Sequence, residues 1–166
     1  LPGMLVMLMT RDIIRRVANG NRDPRAVLCD LNKELLATIR QGMFVTMLYG
    51  LLDQRTGQVT IASAGHNPLI WISNSQPTPT LVRPPGYPLG LMTPAVFDQR
   101  IKNETIQLAT DDWLIQFTDG VNEARNPAGA EYGMDRLLAN LKERRHLRPI
   151  DLVKQSLAEH ASFVAS

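Results

Sequence analysis

Cysteine is almost absent. Cys29 stands alone among 166 residues, so no disulfide can close within the chain. It falls in AVLCDLNKELL, where helical spacing makes it a small core or boundary residue, and a reducing compartment is expected. Long apolar runs are missing as well. None approaches the roughly 18 residues of a membrane span, and MLVMLM near the start is too short and wrongly flanked for a signal peptide. Charge of one sign is scarce: a formal net charge of +2 gives no argument for nucleic acid. The one basic block, Lys142–Arg145, reads as the solvated face of a helix. There is no Gly-rich phosphate loop, no His-Glu-x-x-His and no Cys/His metal spacing. The serines lack a nucleophile elbow, and a cysteine in a helix stripe is a poor nucleophile. An initiator Met is also lacking: the chain opens on LPGM and passes almost at once into helix, which reads as a piece of a longer protein.

What is present fits one domain spanning residues 1–166, with the 44% apolar and 20% charged composition of a globular protein. Leu5, Leu8, Met9, Ile13 and Val17 predict an amphipathic helix over Pro2–Ala18. Asp23 is the expected N-cap of a second helix with Pro24 at its first position, and Val27, Leu28, Leu31, Leu35 and Ile39 mark its buried stripe. Residues 43–73 then read as an antiparallel meander of three strands, Met43–Asp53, Gln58–Gly65 and His66–Ser73, with a turn at QRTG. Residues 74–94 carry six prolines and read as a surface loop. Ala95–Ala109 alternates like a strand, and another follows a tight turn at Asp111-Asp112. Met134–Arg145 and Pro149–Val164 read as two more helices, with stripes Met134, Leu137, Leu138, Leu141 and Ile150, Val153, Leu157, Val164. Grouped strands between helix pairs predict an α+β fold with antiparallel sheet.

The residues that could carry chemistry gather at strand ends. Asp119 follows an apolar run and heads a polar loop with Asn122, Glu123, Arg125 and Asn126. Asp-Gly is also a common turn, so Asp119 reads equally as turn-former or ligand. His66 and Asn67 lie in SAGHNP, where a structural histidine is the commoner outcome, and Glu123 reads as solvated or paired with Arg125. Two oxygen-rich loops of this kind could build a hard-metal site for Mg²⁺ or Mn²⁺.

Three stretches resemble the SpoIIE/RsbU-type serine/threonine phosphatases, a bacterial branch of the metal-dependent, type 2C-like superfamily. They are GMFVTMLYGLLDQRTGQVTIASAGHNPLIWI, PLGLM and DDWLIQFTDGVNEARNPAGAEYGMDRL. The match is collinear over nearly the whole chain, and its motifs are specific in combination. It implies an antiparallel β-sandwich flanked by helix pairs, incomplete at both ends here. It implies metal-dependent hydrolysis of protein phosphoserine or phosphothreonine, without a phosphoenzyme. Asp119 falls on the family's metal-ligand Asp, with Gly120 letting the backbone turn away. Glu123, Arg125, His66 and Asn67 become site-loop residues, and no catalytic residue beyond the metal ligand is assigned. Two divalent ions roughly 4 Å apart would generate hydroxide and neutralise the attacked phosphate.

The resemblance also exposes what is missing. The family's first metal-binding segment would precede Pro2 and its last metal-binding Asp would follow Ser166. Asp12, Asp23 and Asp30 are poor substitutes, and Asp111 stands where the family often has Gly. This segment alone is therefore expected to bind Mn²⁺ or Mg²⁺ weakly and to turn over little. Two functions follow: a phosphatase acting, in its parent protein, on a phosphorylated anti-anti-sigma-type partner within a partner-switching pathway, or a pseudophosphatase serving as an interaction module. A regulatory or sensor domain elsewhere in the parent, a cytoplasmic location, no nucleic-acid or membrane contact by this segment, and a homodimer built on exposed sheet edges complete the expectations.

Overall fold

Proline and aspartate set the helix starts. Asp23 takes the N-cap position, its Oδ1 accepting the backbone N–H of Arg25 at 3.0 Å, and Pro24 follows at the first helical position. The computed structural model describes residues 2–76 and 78–166. In chain order these form α1 (Pro2–Val17), α2 (Pro24–Thr38), β1 (Met47–Asp53), β2 (Gln58–Ala64), β3 (Leu69–Ile72) and β4 (Thr80–Val82), then α3 (Pro94–Arg100), β5 (Glu104–Gln107), β6 (Trp113–Ile115), α4 (Asp119–Asn122), α5 (Gly133–Arg144) and α6 (Pro149–Ala165). Among the described residues no helix is long and apolar enough to cross a membrane. The chain divides into two units, Leu1–His66 with Arg83–Leu108, and Asn67–Val82 with Ala109–Ser166.

Unit one is built on the antiparallel sheet β1-β2-β5, with Met47 opposite Ala64 and Gln58 opposite Gln107. Its core joins Ile13 of α1 to Leu28, Leu31 and Leu35 of α2, Ala62 and Ala64 of β2, and Phe97 and Ile101. Cys29 is buried among them, as its spacing predicts. Burial, and then Asp98, push its thiol up to about 12, which leaves it a poor nucleophile. The stripe expected on α1 is displaced: Leu5 and Leu8 are exposed, and Val6, Thr10 and Ile13 face inward. Met4–Met9 is apolar all round, so several stripes compete there. Thr10 wins a buried place because its hydroxyl donates to the Val6 carbonyl at 2.7 Å.

Two further expectations change. The alternating stretch after Thr93 begins as helix, not strand: Pro94 opens α3, and Phe97 and Ile101 enter the core at i, i+4 spacing. Only Glu104–Gln107 remains strand. The proline-rich stretch is partly buried, with Val82 and Leu89 inside. Asn32 clamps it to α2, donating to the Met92 carbonyl at 3.2 Å and accepting the Gly90 N–H at 2.9 Å. At Gly86 a side chain has no room: a Cβ would lie 1.8 Å from the Ser63 carbonyl oxygen of β2.

Unit two holds the second antiparallel sheet, β4-β3-β6. The expected three-strand meander is therefore broken. β3 pairs with β4 and β6, with Ile70 opposite Leu81 and Ile115, and not with β2. The break falls where Gly65 takes a φ of +67° and packs on Pro88, leaving no space for a Cβ. The turn before β6 is also unusual. Asp111 has a φ of 64°, a left-handed conformation that glycine adopts without strain. Asp112 fastens it, its carboxylate accepting the Ala109 N–H, the Trp71 indole N–H and the Asn74 N–H. Burial pushes the Asp112 carboxyl up, but these bonds outweigh it and hold the group below the usual range.

The core of unit two joins Ile70 and Ile72 to Phe117, Tyr132, Leu137, Leu141, Leu152 and Phe163. On α6 the expected stripe faces outward, with Ile150, Val153, Leu157 and Val164 all exposed and Leu152 and Phe163 inside. The inward face of α6 is chosen by its polar bonds as much as by its apolar area, because that face also carries Glu159 and His160. An antiparallel sheet with a helix pair in each unit gives the α+β class that the grouped pattern predicts.

Candidate functional site

β6 ends at Ile115, Phe117 is buried, and the chain emerges at Thr118 into the single turn α4. Asp119 opens that turn and is exposed. Its Oδ1 accepts the N–H of Gly120 at 2.8 Å, and its carbonyl accepts the Glu123 N–H at 2.9 Å. Gly120 is not needed for the turn. Its φ is not positive, and a Cβ would meet nothing nearer than Thr118 Oγ1 at 3.8 Å. Glu123 is exposed and closes the turn with its N–H.

Arg125 does not pair with Glu123. It donates to Glu131 Oε1 at 2.6 Å, and an antiparallel bridge joins the same two residues across the loop. Both side chains are exposed, so the pair adds little stability, but it ties the guanidinium into the loop's own closure. Asn126 completes the closure, its Oδ1 accepting the Ala130 N–H at 2.9 Å. The other sequence-predicted group is divided. Asn67 belongs to unit two, where its carbonyl accepts from Gln116 Nε2 at 3.3 Å. His66 belongs to unit one, with Nδ1 3.0 Å from Thr46 Oγ1 and its backbone N–H donating to Ser63 Oγ at 3.2 Å.

Sequence reasoning missed the polar cluster behind the turn. Tyr132 is buried and donates its hydroxyl to Glu159 Oε2. Asn140 Nδ2 donates to the same oxygen at 2.5 Å and to the Tyr132 hydroxyl at 3.0 Å. Burial, and then Glu159, push the Tyr132 phenol up to about 12. His160 bonds the Val121 carbonyl of α4. The available signal was the spacing Leu152, His160, Phe163 on one face of α6, which a count of apolar residues alone passes over.

Among the described residues, no group of three or more His, Cys, Asp or Glu side chains could hold a metal ion. Asp119 stands as a lone carboxylate, and hard divalent cations require several oxygen ligands. The residues present therefore do not by themselves fit a two-ion centre.

The fold is that of the type 2C phosphatase domains. It superimposes on the SiaA-PP2C domain of Pseudomonas aeruginosa with a TM-score of 0.78, covering 98% of this chain and 63% of that one at 21% identity. Within that fold, the chain belongs to the SpoIIE family: the family model described as stage II sporulation protein E matches residues 1–164. Similar relatives include IcfG of Synechocystis sp., 30% identical over 122 residues, and the phosphoserine phosphatase RsbU of Bacillus subtilis, 30% identical over 129 residues. These matches take in 71% and 78% of this chain but only 18% and 37% of the relatives' lengths.

Proposed function

We propose that this chain is the greater part of a catalytic domain that releases phosphate from phosphoserine or phosphothreonine on a signalling protein, residues 1–166 acting as one partial domain. The reaction breaks the phosphorus–oxygen bond to the side chain and adds water across it. The observation that carries this reading is the Thr118-Asp119-Gly120 turn. It holds an exposed carboxylate at the head of α4, past the end of β6, in a family that includes a named phosphoserine phosphatase. Asp119 is the metal ligand in this reading, and the ions are Mn²⁺ or Mg²⁺. Further acids must join Asp119 for such a centre to form, so the activity is proposed for the full-length protein. Gly120, Glu123 and Arg125 belong to the loop that carries Asp119, and His66 and Asn67 are proposed as site-loop residues, each in its own unit. The substrate is a phosphorylated anti-anti-sigma-type protein in a partner-switching pathway, consistent with the kinship to RsbU. A sensor or regulatory domain in the parent chain controls it, in the cytoplasm, and self-association through exposed sheet edges gives a homodimer.

A second reading is a pseudophosphatase that binds a signalling partner without hydrolysis. The isolated Asp119, with no acid cluster around it among the described residues, favours it. One assay separates the two: phosphate release from a phosphoserine-bearing anti-anti-sigma domain by the full-length protein in Mn²⁺, beside Asp119→Asn. The phosphatase reading expects metal-dependent release, cut at least about a hundredfold in the variant. No release from either leaves the binding reading, and equal release by both overturns the role of Asp119.

A further inference from the structure

The turn that carries Asp119 is held from behind by a residue far along the chain. His160 on α6 hydrogen-bonds the Val121 carbonyl oxygen at 3.0 Å. A carbonyl only accepts, so Nε2 carries the proton and donates it. The imidazole is itself fixed. Tyr132 meets it edge-on with ring centroids 4.8 Å apart, and Phe163 lies 5.4 Å from Tyr132 in the same geometry. Asn140 and Glu159 lock the Tyr132 hydroxyl, and the Arg136 guanidinium covers Phe163 at 4.1 Å. Tyr132 also reaches the loop directly, its backbone N–H donating to the Ala124 carbonyl at 2.8 Å. One aromatic cluster thus bonds the loop at two carbonyls, Val121 and Ala124.

A single helical turn does not hold itself in water, because its nucleus costs more than its few bonds return. α4 has four residues and no side-chain bond from its N-cap, Thr118. Its direction must come from outside. The Val121 carbonyl lies two residues beyond Asp119, inside the turn closed by the Glu123 N–H on the Asp119 carbonyl. Releasing that carbonyl lets the peptide planes rotate, and the Asp119 Cα–Cβ bond swings with them.

We propose that His160 is a positioning residue for Asp119, holding α4 through the Val121 carbonyl so that the carboxylate keeps one direction. This rests on the phosphatase reading for its catalytic consequence, though not for the tether itself. Two variants of the full-length protein test it. His160→Leu removes the donor, while His160→Gln keeps an N–H that can reach the same carbonyl. Hydrogen exchange at the amides of Val121 and Glu123 reads the tether, with α5 amides as the control for global stability. In the leucine variant we expect exchange there to rise about fivefold or more while α5 stays protected. We also expect kcat to fall about tenfold to a hundredfold, as small misplacements of a reacting group do, with KM little changed. Glutamine should restore both. Unchanged α4 exchange in His160→Leu overturns the tether, and loosened exchange with wild-type kcat overturns the positioning role. If the wild-type protein itself releases no phosphate, the phosphatase reading has failed. Exchange then decides the tether alone: loosened amides that glutamine restores uphold it, and unchanged amides overturn it.

Discussion

Among the described residues, unit one buries more apolar side chains than unit two, and the two units treat their polar groups differently. In unit one, Val27, Leu28, Leu31, Leu35 and Phe97 are wholly inaccessible, and the buried Asn32 is bonded at both ends of its amide. In unit two, most core residues keep a few per cent of their surface, and a polar cluster runs through the packing. Among the described residues, the buried side-chain atoms without a partner are Asp98 Oδ1 in unit one and, in unit two, Asn122 Oδ1, Asn140 Oδ1, Arg144 Nε and Ser156 Oγ. A buried polar atom left unbonded costs on the order of 1–3 kcal/mol. Unit two holds more of these atoms than unit one, and unit two is where the Asp119 turn is held.

Matched core truncations should sharpen the contrast most. Phe97→Ala, in the drier core, is expected to cost about 4 kcal/mol, and Phe163→Ala, with its Arg136 cover, about 3 kcal/mol. Urea denaturation of each variant gives the two values, and an equal or reversed order would remove the contrast. The next effect is an alkaline pH dependence, to which Tyr132 in unit two contributes beside Cys29 in unit one. The Tyr132 phenol is raised from 10.0 to about 12 in the folded protein. Its stabilising contribution is therefore fully present below pH 10 and is lost as the pH rises through about 12. Tyr132→Phe should flatten the stability profile over that interval, measured by thermal unfolding across the alkaline range. A profile as steep as wild type would assign the loss to another group. The smallest effect is expected at Gly120. With a non-positive φ and open space for a Cβ, Gly120→Ala should hold or raise stability by roughly 0.5 kcal/mol. A loss beyond about 1 kcal/mol would mean that the turn needs glycine's freedom after all.

Much of this was legible in the sequence because local chemistry and tertiary packing agree there. Asp23-Pro24 starts α2 as any N-cap and N1 proline would, and the apolar spacing from Val27 to Leu35 admits one inward face. The family motifs point to the fold and to Asp119 as the residue to test. The failures share a physical cause, since each involves a choice between nearly equal alternatives that apolar spacing alone leaves open. α1 and α6 each carry more than one possible stripe. On α1 the Thr10 hydroxyl can be buried because it bonds the Val6 carbonyl of its own helix, and on α6 the bonds to Tyr132, Asn140 and Val121 hold the inward face. Phe97 suits a strand or a helix until Pro94 and the α2 core select the helix. The sheet switch after β2 was hidden because an antiparallel meander and a crossing between sheets share one alternating pattern. Only the backbone at Gly65 separates them.

Gly86 bears on how this sequence can vary. The six prolines between residues 74 and 94 narrow the shapes that stretch can take, but many proline-rich sequences would do that. One missing side chain supplies the address. With 1.8 Å between a would-be methyl and the Ser63 carbonyl, position 86 admits a single amino acid of the twenty. In terms of information, that glycine specifies where the segment lies against β2, while its neighbours specify only its stiffness. Drift in the prolines would blur the segment, whereas any coding change at Gly86 would relocate it.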